Sequence, residues 1–135
     1  MIKKTIKYTD YNGREIEGDF YFHLNKAEIS EMEMSIKGGL AEMIKLIIKT
    51  EDTPALIKIF KDLILKSYGE KSLDGLHFRK FDRDGYRLAD DFAQTEAYSV
   101  LFMELATDSD SAAKFINGIM PDDLVKEMAK SIENK

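Results

Sequence analysis

From Ile2 to Leu24, apolar side chains keep to alternate positions on both sides of an Asn12-Gly13 pair, which is the pattern of a β-hairpin with one dry face. Ile2, Ile6, Tyr8, Ile16, Phe20, Phe22 and Leu24 form the dry set; Lys3, Lys7, Glu15, Glu17 and Asp19 form the wet one. A two-residue Asn12-Gly13 loop would set Tyr8 opposite Glu17 and throw the two apolar sets onto opposite faces. A three-residue loop, Tyr11-Asn12-Gly13 with Gly13 in the left-handed region, pairs Tyr8 with Ile16 and Lys7 with Glu17. The spacing therefore predicts the longer loop.

Beyond the hairpin the period changes to that of helices. Asn25 is a capping residue with Glu28 three positions on, and Leu24 and Ile29 are placed to staple the helix start. Ile29, Met32 and Ile36 recur on one face, Glu33 and Lys37 stand four apart, and Gly38-Gly39 ends the run. Two aliphatic segments, residues 40–48 and 56–65, flank a Thr53-Pro54 helix start and predict an antiparallel helix pair closed by Gly69. Residues 69–85 read as a polar loop in which Leu76, Phe78 and Phe81 leave a weak extended signal. A short helix over 86–92, a second through Leu105 with Tyr98, Leu101, Phe102 and Leu105 inward, and a third capped by Asp108 or Ser109 and ending near Asn117-Gly118 follow. A terminal helix opens at Pro121. The expectation is an α+β fold: one domain over 1–135, with an N-terminal antiparallel β-hairpin (1–24) packed on a mainly helical remainder (25–135) of about five to six helices.

Composition bounds the function. A chain of 135 residues, 44% hydrophobic, can bury a genuine core. It has no cysteine, which removes disulfides, thiolate metal sites and a cysteine nucleophile together and suits a reducing cytoplasm. With 25 acidic and 20 basic residues the net charge is −5, so nucleic acid is not expected as a partner. The start Met1-Ile2-Lys3-Lys4 runs into alternation, so no secretory leader is expected, and no apolar run reaches membrane-spanning length.

Reactive chemistry is sparse. His23 and His77 have no second ligand at metal spacing and read as surface or half-buried residues. Asp82, Asp84 and Gly85 resemble a calcium loop only faintly, with the glycine misplaced and no closing glutamate, and read as a solvated acidic turn. Asp90-Asp91 and Asp122-Asp123 lie at helix starts, where carboxylates complement the dipole. Gly38-Gly39 lacks the flanking strand of a phosphate cradle, and there is no Gly-x-Ser-x-Gly elbow. No catalytic, metal-binding or cofactor-binding residue is proposed from the sequence. What stands out is apolar residues on faces that should be wet: Leu65 among Lys58, Lys61, Asp62 and Lys66, Val100 and Met103 opposite the inward stripe of their helix, and Tyr21 on the charged hairpin face. Burial against another helix of the chain would explain each; exposed together, Tyr21, Leu65, Val100 and Met103 would anchor a protein partner.

The hairpin Lys4-Thr5-Ile6-Lys7-Tyr8-Thr9-Asp10-Tyr11-Asn12-Gly13 and the run Phe20-Tyr21-Phe22-His23-Leu24-Asn25-Lys26-Ala27-Glu28 resemble the tail assembly chaperones of long-tailed phages and prophages of Gram-positive bacteria. The resemblance continues through Gly38-Gly39-Leu40-Ala41-Glu42-Met43-Ile44, Asp52-Thr53-Pro54-Ala55, Leu63–Ser72 and Gln94–Leu105, and is weakest over 76–87. It implies a non-enzymatic protein without cofactor, acting in the cytoplasm of the bacterial host and absent from the mature virion. Its implied partner is the tape measure protein, with tail tube protein a second candidate and self-association expected, and many such proteins are also made as a longer frameshifted product. Apolar stripes and a methionine-rich composition suit a receiver of amphipathic helices. A structural tail or connector subunit retained in the virion is the alternative, and a small acid-base enzyme a third class.

Overall fold

The computed structural model of the chain describes residues 1–35 and 53–121. Its hairpin follows the predicted register. Strands β1 (Ile2–Thr9) and β2 (Glu15–Phe22) are antiparallel, with Tyr8 opposite Ile16 and Lys7 opposite Glu17. Asp10 and Arg14 close a three-residue loop through a 2.9 Å backbone hydrogen bond, and Gly13 takes a φ of 81° that a Cβ would oppose. Asp10 Oδ1 accepts the N–H groups of Asn12 and Arg14, each at 2.9 Å, which fixes the turn from within.

Five helices are described: α1 (Lys26–Ser35), α2 (Thr53–Ser67), α3 (Leu88–Phe92), α4 (Glu96–Thr107) and α5 (Ser109–Ile119). The α1 start is a reciprocal capping box: Glu28 N donates to Asn25 Oδ1 at 2.8 Å, and Asn25 N donates to Glu28 Oε1 at 3.0 Å. Leu24 and Ile29 are both buried beside it, as the staple requires. In α2, Phe60, Leu63, Ile64 and Ser67 recur at helical spacing on the buried face. Thr95 caps α4 and Asp108 caps α5, the latter through Asp110 and Ser111 N–H groups. The aliphatic segment 40–48, the Gly38-Gly39 stop, Ile36, the Glu33–Lys37 pair, Asp122-Asp123 and the helix expected after Pro121 lie outside the described residues.

The structure corrects the reading of residues 69–85. This stretch adds two strands, β3 (Tyr68–Lys71) and β4 (Phe78–Arg79), giving a four-stranded sheet in the order β1-β2-β3-β4. Tyr21 and Phe22 pair with Gly69 and Tyr68; Glu70 and Lys71 pair with Arg79 and Phe78; a further bridge joins Phe81 to Arg87. Gly69 is thus a strand residue and does not terminate a helix. A Cβ there would lie 2.7 Å from Arg79 O and 2.8 Å from the Phe78 ring, so only glycine permits this approach of β3 and β4. The α2 end is closed by other means. Ser67 O accepts from His23 N at 2.8 Å, Lys66 O accepts from Lys80 Nζ at 2.6 Å, and Ser67 Oγ donates to Leu63 O at 2.6 Å. The short helix starts at Leu88, two residues after the expected Tyr86, because residues 82–86 form a turn of the same design as the first. Asp82 Oδ1 takes the N–H groups of Asp84 and Tyr86 at 2.9 Å, with Gly85 at a φ of 87°.

Sheet and helices share one core. Phe92, carried by the single turn of α3, stacks on Tyr68 at 4.4 Å between ring centroids and meets Phe20, Phe22 and Tyr98 at 5.2, 5.7 and 6.0 Å. Phe22 in turn meets Phe115 of α5 at 5.2 Å. Such ring pairs add about 0.5–1.5 kcal/mol each beyond area burial. Phe92→Ala is expected to cost about 3–5 kcal/mol in urea unfolding, since four aromatic neighbours lose one contact surface. Gly69→Ala is expected to cost about 1–3 kcal/mol and to weaken amide-exchange protection in β3 and β4 while leaving the β1-β2 ladder protected.

Candidate functional site

The described surface carries a cleft with an apolar floor and charged walls. Leu24, Met32, Leu65 and Phe81 line it, with Tyr68 at its side, and it encloses about 570 Å³. Glu28 and Glu31 stand on the α1 wall; Lys66 and Arg87 stand on the α2 and loop side. The Phe81 side is 59% exposed, an unusual state for a phenylalanine beside a cleft. The volume falls within the range of binding pockets, roughly 300–1,000 Å³.

Lys80 builds this cleft. Its ammonium donates to His23 O at 2.8 Å and Lys66 O at 2.6 Å, approaches Glu28 Oε2 at 3.2 Å, and lies 5.4 Å from the centroid of the Phe78 ring. One cation thus joins the end of β2, the last turn of α2, the capping box of α1 and the strand β4. Burial lowers the Lys80 pKa, and the Glu28 carboxylate works against that shift. The ion pair is part of the frame and not free chemistry.

His23 lies behind this junction, half-buried, with its ring 6.0 Å from Phe78 in an edge-on arrangement. Its Nδ1 is buried and meets no hydrogen-bond partner among the described residues. Burial lowers its pKa, and the positive N-terminus and Lys80 lower it further, against a smaller opposing pull from Glu28. His77 is exposed on the β3-β4 loop. No group of three or more His, Cys, Asp or Glu side chains able to hold a metal ion occurs among the described residues.

The acidic residues singled out by sequence serve local structure. Asp82 nucleates its turn, Asp90 pairs with Arg87 at 2.9 Å, and Asp91 lies in the first turn of α3. Asp74 accepts from Ser72 and from Leu76 N–H in the β3-β4 loop, and these bonds hold its carboxyl below the usual range. Asp108 is lowered by its bonds to Ser111 and to the α5 N–H groups, and Asp10 by the Arg14 N–H first.

The four expected anchor residues do not form one patch. Leu65 is half-buried in the cleft described above. Val100 and Met103 are exposed on α4, at 43% and 55%. Met103 lines a separate groove of about 330 Å³ between α2 and α4 with Ile57, Tyr98 and Phe102. Tyr21 is half-buried within the sheet, opposite Lys3 on one side and Gly69 on the other. Sequence reasoning did not mark Phe81 or Ile57 as site residues: the first left only a weak extended signal in a polar stretch, and the second lies at the border between the apolar face of α2 and its Lys58, Lys61, Asp62 and Lys66 strip. No helix among the described residues is long and apolar enough to cross a membrane.

Compared with known proteins, the chain matches a family described as phage tail assembly chaperone over residues 1–135, its whole length. No curated protein and no solved structure gives a significant match.

Because folding disfavours the protonated His23 ring, its stabilising contribution is complete above the ordinary imidazole value of about 6.5 and is lost as pH falls through the lower folded value. Urea midpoints for the wild-type chain should therefore drop between about pH 7.5 and about pH 5 more steeply than those of a His23→Gln variant.

Proposed function

The chain belongs to the phage tail assembly chaperone family, and we propose that it acts by binding the tape measure protein and keeping it soluble while the tail is built. In this reading it works without catalysis or cofactor in the cytoplasm of the host cell and is left out of the finished particle. Tail tube protein is a second partner that the tape measure would bring near.

The observation that carries the proposal is the cleft between α1, the end of α2 and the Phe81–Arg87 segment. A tape measure protein is a long helical chain, and an amphipathic helix needs a groove that receives apolar side chains at helical spacing. Leu24, Met32, Leu65 and Phe81 supply that floor. The walls differ in sign, with Glu28 and Glu31 facing Lys66 and Arg87, so a helix bearing basic residues along one flank and acidic along the other would be held in one orientation. Methionine suits this setting because its unbranched side chain adapts to many partners. The negative net charge keeps the loaded complex dispersed.

Co-expression tests the reading. Tape measure protein from the same genome should become soluble and co-purify with the wild-type chain. Phe81→Glu and Leu65→Glu place a charge on the floor and should each weaken binding by roughly 2 kcal/mol or more, about thirtyfold, with unchanged circular dichroism. If both variants bind normally while Met103→Glu does not, the α2-α4 groove is the docking surface instead. Mass spectrometry of purified particles separates a chaperone, which should be missing, from a structural tail or connector subunit, which should be present.

A further inference from the structure

Glu28, Glu31, Lys66, Lys80 and Arg87 are the charged residues that line the cleft, and the fold already occupies three of them. Glu28 accepts the Asn25 N–H on one oxygen at 3.0 Å and meets Lys80 with the other at 3.2 Å. Lys80 also donates to His23 O and Lys66 O. Arg87 donates to one Asp90 oxygen from Nε and Nη2, at 3.2 and 2.9 Å.

Glu31 and Lys66 are different. Both are exposed, and among the described residues neither side chain has a hydrogen-bond or ion partner. Glu31 stands on the α1 wall and Lys66 on the last turn of α2, with the apolar floor between them. We propose that Glu31 and Lys66 select the helix that the cleft accepts and fix the direction in which it lies. The docked helix carries a basic side chain on the flank beside Glu31 and an acidic one on the flank beside Lys66. This assignment rests on a helix docking in the cleft, as read above, and adds which residues choose it.

The reason is one of symmetry. A helix laid with its apolar stripe on the floor can run in either of two opposite directions and bury the same stripe. Reversing it exchanges its left and right flanks. Leucine or phenylalanine on the floor registers little of that exchange, whereas two unlike charges on opposite walls register all of it. In one direction each flank meets an opposite charge; in the other each meets its own sign. A helix with both flanks of one sign is attracted at one wall and repelled at the other, so the same two residues also act against wrong partners. Glu28 and Arg87 contribute less, because a flank charge that approaches them meets an ion pair and not a single charge. Both free charges lie in water at the rim, so the selection is modest and weakens with salt.

The probes are three synthetic amphipathic peptides that share one leucine stripe. Their flanks are lysine on one side and glutamate on the other, glutamate on both, or lysine on both. Binding to the full chain is read by fluorescence anisotropy at low salt. The wild-type chain should favour the mixed-flank peptide about fivefold over the others, the effect of one exposed ion pair exchanged for a like-charge contact. Glu31→Lys should move the preference to the all-glutamate peptide and Lys66→Glu to the all-lysine peptide, whereas Arg87→Gln should keep the wild-type order. High salt should shrink these differences. The double reversal, Glu31→Lys with Lys66→Glu, should restore the mixed-flank preference with the peptide turned end for end. A photo-crosslinker at the peptide's first residue should then label the other end of the cleft. An unchanged order in both single variants, or an unchanged crosslink in the double variant, overturns the assignment and leaves docking in the cleft standing. If no peptide binds the wild-type chain, or if binding is indifferent to Phe81→Glu, docking in the cleft falls and the assignment falls with it.

Discussion

Two helices, α2 and α5, end and a third, α1, begins where the second strand leaves the sheet, and the rest of the described structure depends on that meeting. A helix exposes its last carbonyls, and a buried end must find donors for them. Here His23 N serves α2 through Ser67 O, and Leu24 N serves α5 through Ile119 O at 2.7 Å. Asn25, next in sequence, caps α1. Three consecutive residues thus tie three helices to one strand. Lys80 completes the junction from the far side, its charge placed where the α2 dipole is negative. Moving any of these elements would strand a polar group in the interior, where an unmet hydrogen bond costs about 1–3 kcal/mol. The cleft exists because these elements cannot slide together.

Much of this was legible from sequence wherever local chemistry decides. The three-residue loop followed from the parity of apolar positions around Gly13, because only one register keeps Tyr8 and Ile16 on the same side. The α1 start followed from Asn25 and Glu28, a pair with a specific mutual geometry. Asp108 as a cap and the inward stripe of α4 were read in the same way. Where tertiary contacts decide, the reading failed. Gly69 looked like a helix stop because glycine after a helix usually adopts the left-handed conformation, yet the end of α2 is satisfied by residues distant in sequence. The strands β3 and β4 are too short to show alternation, and their pairing depends on the space that Gly69 leaves.

The candidate surface was legible in pieces. Val100 and Met103 sit where helical spacing from Leu101 and Leu105 placed them, on the wet side of α4. Leu65 was marked as misplaced among charges, and it does border a cleft, but the cleft's other wall comes from α1 and from Phe81. No pattern within α2 could have announced a wall built by residues so far along the chain. Tyr21 was marked for the same reason and turned out to be spaced between two strands. A residue that breaks a pattern can have a neighbour that sequence does not announce: Tyr21 and Leu65 do, and Val100 and Met103 are exposed.

The turns at Asp10–Arg14 and Asp82–Tyr86 are held by one carboxylate that gathers two amide hydrogens, with a glycine completing the reversal. Both backbones are held by these bonds while Tyr11 and Tyr86 protrude with 75% and 73% of their surface in solvent. An aromatic ring on a stiff tip loses less freedom when it touches another surface than one on a slack loop. At these two corners the backbone is set by its own carboxylate, and the cost of ordering it has been met within the fold.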